Sequence, residues 1–129
     1  MKSEKLSNIL KKNGFKNIEL DSVIESKHIL KRSGGNFRQY LFSFYDQNYQ
    51  EWTLIPDLSL ASVKKYIESK TNKKTKWSYS GEAYRKRDKS NKSPIVKQTG
   101  FEIFGGYDKA KDDIENVQTS LKIFKKSNF

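Results

Sequence analysis

Residues 37–55 read FRQYLFSFYDQNYQEWTLI, and their periodicity decides the fold. Tyr40, Phe42 and Phe44 alternate along one face of an extended chain, with Leu41 opposite. After the polar break Asp46-Gln47-Asn48, residues 50–55 repeat the pattern with Trp52 and Leu54. Period-two alternation of aromatic and branched residues marks strands that bury one face. Upstream, residues 23–32 run into Ser33-Gly34-Gly35-Asn36, which is hairpin-turn chemistry. Residues 22–55 therefore predict a three-stranded β-meander. Its first strand is ambiguous, because Ile24, His28 and Leu30 also fit a helix capped by Asp21 or Ser22.

Helical spacing appears on both sides of this meander. Leu6, Ile9 and Leu10 share one face of a predicted helix over 4–13, with Ser3 as N-cap and Gly14 as C-cap. A short extended piece follows over 15–20. Pro56-Asp57 ends the meander, and Ser59 caps a helix carrying Leu60, Val63, Tyr66 and Ile67, which Asn72 ends. Short strands are expected over 76–80 and 83–87, with a bend at Gly81, and a longer one over 95–104. Gly105-Gly106 turns the chain, and Asp108 caps a last helix over 109–126. Its apolar stripe is Ile114, Val117, Leu121 and Phe124, and its acids precede its lysines, as the helix dipole favours. The expected architecture is α+β: one domain, a mainly antiparallel sheet packed against two or three helices.

Composition narrows the chemistry. With 129 residues and no cysteine, the chain offers no disulfide scaffold, thiol nucleophile or cysteine-ligated metal site. The hydrophobic fraction of 34% is low, but 13% aromatic residues supply large buried surfaces. No apolar run approaches membrane-spanning length, and the N-terminus lacks a signal-peptide pattern, so a cytoplasmic protein is expected.

Charge is concentrated. Residues 70–97 hold ten Lys/Arg against Glu82 and Asp88, contributing +8 of the chain's +11. Residues 34–69 sum to −1 and 98–129 to zero. Lysine outnumbers arginine 22 to 4, so compositional bias supplies some of this charge, but bias does not explain its unevenness. A basic block interleaved with Trp77, Tyr79 and Tyr84 suits a polyanion, phosphates on the cations and bases on the rings. The candidate nucleic-acid-binding residues are Lys73, Lys74, Lys76, Tyr79, Tyr84, Arg85, Lys86, Arg87, Lys89 and Lys92. Trp77 and Tyr79 equally suit a core whose outer face is basic.

Other constellations are sparse. Pro56-Asp57 followed by Glu68-Ser69-Lys70 spells the PD-(D/E)xK pattern of Mg²⁺-dependent nucleases, and Glu25-Ser26-Lys27 repeats its tripeptide. That chemistry needs its acids and lysine at adjacent strand ends, whereas Glu68 and Lys70 fall on a predicted helix. The single histidine, His28, rules out paired-imidazole and two-histidine metal sites within one chain. Gly34-Gly35 and Gly105-Gly106 match neither phosphate-loop form and read as turns.

The sequence alone thus favours a non-enzymatic DNA- or RNA-binding accessory protein without cofactor or metal. A mobile-element inhibitor or adaptor, docking its basic block on an acidic protein groove, is the alternative. A Mg²⁺-dependent nuclease is the third reading.

Overall fold

The computed structural model describes residues 2–88 and 91–127. It is α+β, with mainly antiparallel sheets packed against helices, as the alternation predicts. The chain divides into two compact units: Met1–Glu19, Ser62–Ser80 and Thr99–Phe129 form one; Leu20–Ala61 and Gly81–Gln98 form the other. No helix among the described residues is long and apolar enough to cross a membrane.

In the first unit, α1 (Lys2–Lys12) takes in Ser3, which the sequence placed at the cap. It packs against α4 (Lys109–Ser127) and β1 (Lys16–Asn17). β1 pairs in parallel with β5 (Thr75–Tyr84), Lys16 beside Trp77 and Asn17 beside Ser78. β6 (Ile95–Phe104), bounded as predicted, lies on the far side of β5. Gly81 does not break β5, which runs as one strand through the predicted 76–80 piece and ends at Tyr84, so residues 85–87 of the predicted 83–87 strand lie beyond it. Leu10, Phe15 and Tyr79 are buried, and Phe15 meets Phe101 edge to face at 5.1 Å between centroids. Tyr66 stacks on Phe104 at 4.5 Å, and Trp77 meets both rings edge-on. Trp77 thus belongs to an aromatic cluster.

Gly100 leaves room for the buried Tyr79 ring. A Cβ there would lie 2.7 Å from the ring of Tyr79, which is 3% exposed. Gly100→Ala is expected to cost about 1–3 kcal/mol by overpacking. A thermal melt checks this, and an unchanged midpoint would mean the ring moves freely.

In the second unit, the three-stranded sheet is ordered β2–β4–β3, from β2 (Val23–Glu25), β3 (Ser43–Tyr45) and β4 (Glu51–Leu54), all antiparallel. The predicted first strand is mostly helix: only three residues are extended before α2 (Ser26–Ser33). Ile24 and Ile29 are both buried, and a strand turning into a helix is what buries both. The expected hairpin turn is a helix end instead. Gly34, at φ 80, leaves α2 and enters a 3-10 helix over Gly35–Tyr40. Thr53, fully buried on the central strand, shares its hydroxyl with Ser26 at 2.5 Å and Ser43 at 3.2 Å. The predicted 46–48 turn is present: Asp46 Oδ1 accepts the N–H groups of Asn48 and Gln50 at 2.8 and 3.0 Å.

Helix α3 (Leu58–Ser69) starts one residue before its predicted cap. Asp57 Oδ1 accepts the Ser59 N–H at 3.2 Å and Gln98 Oε1 accepts that of Leu58 at 3.0 Å, so two first-turn donors are satisfied. Its end is set by Lys70, at φ 52, ahead of Asn72.

Candidate functional site

Tyr84, Arg85 and Lys86, within the basic block, are held through their backbone N–H groups. In the second unit, the N–H of Tyr84 donates to Ile55 O at 2.9 Å. That of Arg85 donates to Pro94 O, and that of Lys86 to Tyr40 O, both at 2.9 Å. Arg85 also donates from Nε to the Pro56 carbonyl at 2.6 Å. One guanidinium edge is therefore anchored, which leaves the terminal amines as donors in a fixed plane.

Arg85 lines two neighbouring cavities. One, of about 310 Å³, is bordered by Arg32, Ser33, Phe37, Asp57 and Leu60 as well. The other, of about 330 Å³, is bordered by Phe37, Tyr40, Lys86, Arg87 and Asp88. Phe37 and Arg85 are common to both. Four cations against two carboxylates give the cleft net positive charge. Phe37 and Tyr40, tilted at 52° with centroids 5.7 Å apart, supply aromatic surface beside them. Local folding explains the set: α2 ends at Arg32-Ser33, Gly34 redirects the chain, and the 3-10 helix presents Phe37 and Tyr40. Fixed guanidinium donors beside a ring suit an anion that carries a planar group. Lys86 is partly engaged, with its ammonium 5.6 Å above the Phe42 ring.

The remaining sequence-predicted residues separate. Lys74 and Lys76 belong to the first unit and are paired with α4. Lys74 lies 2.7 Å from Asp112 and 3.1 Å from Glu115. Lys76 pairs with Glu115, donates to the Asn13 carbonyl at 2.6 Å and lies over the Phe15 ring at 4.5 Å. Tyr79 is buried and donates to Glu102 at 3.0 Å, so its ring offers no face to a base. Tyr84 is half-buried, its phenol 3.3 Å from Glu82; burial first, and that carboxylate second, push its pKa up. Lys73 and Lys92 are exposed, and Lys89 lies outside the described residues.

Glu115 titrates as the centre of the lysine pair. Hydrogen bonds from Lys76, then Lys74, hold its carboxyl below the ordinary 4.5, while Asp112 and then Glu115 hold Lys74 above 10.5. The depressed carboxyl stabilises the fold above its unfolded value, and that stability is lost as pH falls through the folded one. The raised lysine stabilises below its unfolded value and is lost as pH climbs past the folded one. The melting-temperature gap between wild type and Glu115→Gln is therefore expected to be flat from about pH 6 to 9 and to close below about pH 4. A gap that widens in acid would contradict this pairing.

The nuclease spelling finds no site. Glu68 and Ser69 lie on α3, and Glu68 pairs with Lys64 at 2.6 Å; Glu25 pairs with Lys27. Among the described residues no group of three His, Cys, Asp or Glu could hold a metal ion.

Arg32, Phe37 and Tyr40 were absent from the sequence-predicted site, but a signal for the first existed. Only four arginines survive in this lysine-biased chain. Three of them (Arg32, Arg85, Arg87) line the two cavities, and the fourth, Arg38, pairs with Glu51. In such a background an arginine marks a place where planar, forked donors matter.

The family model for histidyl-tRNA synthetase matches residues 2–128. No curated protein matches the sequence. Among solved structures, the chain is similar to an ATP phosphoribosyltransferase regulatory subunit/histidyl-tRNA synthetase from Bacillus halodurans. The TM-score is 0.79 at 19% identity, over 98% of this chain and 33% of that one. Apo histidyl-tRNA synthetase of S. aureus gives 0.76 at 18%, over 97% and 29%. PylSc of Desulfitobacterium hafniense, a pyrrolysyl tRNA synthetase, gives 0.78 at 16%, over 99% and 46%. The chain thus spans about a third to a half of the length of these proteins. These matches correct the functional expectation. The accessory-factor, inhibitor or adaptor, and nuclease readings are all overturned, and the DNA-binding and mobile-element associations lose their support.

Proposed function

Because the chain belongs to the histidyl-tRNA synthetase family, we propose that it forms the nucleotide-binding part of a synthetase-type protein. The cleft around Arg85 takes the phosphates of a nucleotide, ATP or a nucleotide of tRNA, and Phe37 or Tyr40 packs against the base. The observation that carries this reading is Arg85 itself, pinned through Nε to Pro56 and lining both cavities beside Phe37. Cavities of about 310 and 330 Å³ are of ligand-binding size. The exposed Lys92, in the same unit, would add a phosphate contact for a polynucleotide. A cytoplasmic location fits the same family. Because the chain spans only part of its solved relatives, the proposal covers binding and assigns no amino-acid transfer to this chain alone.

Calorimetric titration with AMP, ADP, ATP and bulk tRNA tests it. Affinity should rise with phosphate number, fall with salt, and show ATP competing with tRNA. Equal affinity for AMP and ATP would remove the phosphate role. No binding of ATP or tRNA at low salt would end the proposal.

A further inference from the structure

Helix α4 turns its apolar stripe away from the unit it belongs to. Ile114, Val117, Leu121 and Phe124 are 58, 60, 51 and 63% exposed. Thr119 is instead buried, and Asp112 and Glu115 reach inward to Lys74 and Lys76. The four exposed residues follow steps of three, four and three, the a/d spacing of a helix–helix seam. A continuous apolar ridge of this kind on a highly charged protein marks a contact surface.

We propose that this ridge docks an amphipathic helix of a different polypeptide whose flanking residues are acidic. Lys111 and Lys125 lie on the same flank of the ridge, on either side of Gln118. Both are exposed and make no ion pair among the described residues. That flank calls for carboxylates. A second copy of this chain fits poorly. Antiparallel pairing about Thr119 brings Lys111 against Lys125 of the other copy. Parallel pairing aligns the helix dipoles and sets the Lys125-Lys126 turns side by side. Each copy also carries +11.

The test uses the full chain and two synthetic peptides of about three heptads, with Leu and Ile at a and d. One carries Glu at e and g, the other Lys. Fluorescence anisotropy should show the acidic peptide binding at least about tenfold tighter than the basic one. The double variant Lys111→Glu/Lys125→Glu should reverse that preference, a readout that loss of folding would not produce. Leu121→Ser, at a half-exposed position, should weaken the acidic peptide about tenfold or more with an unchanged circular dichroism spectrum. Equal binding of the two peptides, or binding of neither, overturns the proposal. So does dimerisation of the protein in sedimentation that Leu121→Ser abolishes, since a second copy then covers the ridge. Binding to anionic vesicles that is lost in Leu121→Ser, with no peptide binding, overturns it in favour of a membrane surface.

Discussion

Arg85→Ala is expected to weaken ATP binding roughly 10- to 150-fold, the equivalent of about 1.5–3 kcal/mol for charge-assisted hydrogen bonds to phosphate. The size follows from geometry. Arg85 borders both cavities, so a phosphate placed beside Phe37 or beside Tyr40 meets the same guanidinium. Its Nε is committed to the Pro56 carbonyl at 2.6 Å, so the ligand loses a preorganised donor set and not a floating charge. The substitution also removes that anchor, at a cost of about 1 kcal/mol of stability. Two further variants separate the effects. Arg85→Lys retains the charge and loses the fork, and should recover only part of the affinity. Lys86→Ala removes an exposed cation already drawn over Phe42, and should cost only a fewfold. Wild-type affinity in Arg85→Ala, in a protein with an unchanged melt, would eliminate the cleft as the nucleotide site.

The fold was partly legible in the sequence because some elements are decided locally. Asp108 caps α4 through its own carboxylate, which accepts the Lys111 N–H at 3.1 Å, and β6 carries its alternation within ten residues. Elsewhere the deciding interactions are remote. Residues 23–32 satisfy strand and helix spacing alike, and burial of Ile24 and Ile29 settles them only once β4 is in place. The two-residue strand β1 exists because Lys16 and Asn17 pair in parallel with Trp77 and Ser78, a partnership no local pattern announces. Likewise the stripe on α4 announces an amphipathic helix but not which face is covered. The pull of Lys74 and Lys76 on Asp112 and Glu115 turns the polar side inward.

The candidate site was legible to a similar extent. Arg85, Lys86 and Arg87 stood out as the centre of the basic block, and all three line the second cavity. Arg32 and Phe37 come from a segment read as strand and turn. Only the helix that ends at Ser33, with Gly34 beyond it, brings them to the cavities that Arg85 borders. Lys74 and Lys76 looked equivalent to the arginines in sequence. Their carboxylate partners lie some forty residues downstream on α4, which a reading of the block alone cannot supply.

Phe15→Ala is expected to be the most damaging single substitution in the first unit, costing about 3–5 kcal/mol. The ring is 2% exposed, meets Phe101 edge to face at 5.1 Å and lies beneath the Lys76 ammonium at 4.5 Å. Its N–H closes the end of α1 on the Leu10 carbonyl at 3.0 Å, so the ring seats the helix end as well as filling the core. Little other apolar mass is available, given a hydrophobic fraction of 34%, and collapse around the void would disturb Phe101. With a total stability of about 5–15 kcal/mol for a domain, such a loss leaves a small margin and should lower the melting midpoint by roughly 10–20 °C. Phe44→Ala provides the contrast. That ring is 44% exposed on the edge strand β3, and its removal should cost about 1 kcal/mol or less. The pair term with Phe101 can be read from a double-mutant cycle with Phe101→Leu, where about 0.5–1.5 kcal/mol is expected. A Phe15→Ala midpoint no lower than that of Phe44→Ala would mean that the unit's stability rests on the Tyr66–Trp77–Phe104 cluster and not on the contacts Phe15 makes with Phe101 and Lys76.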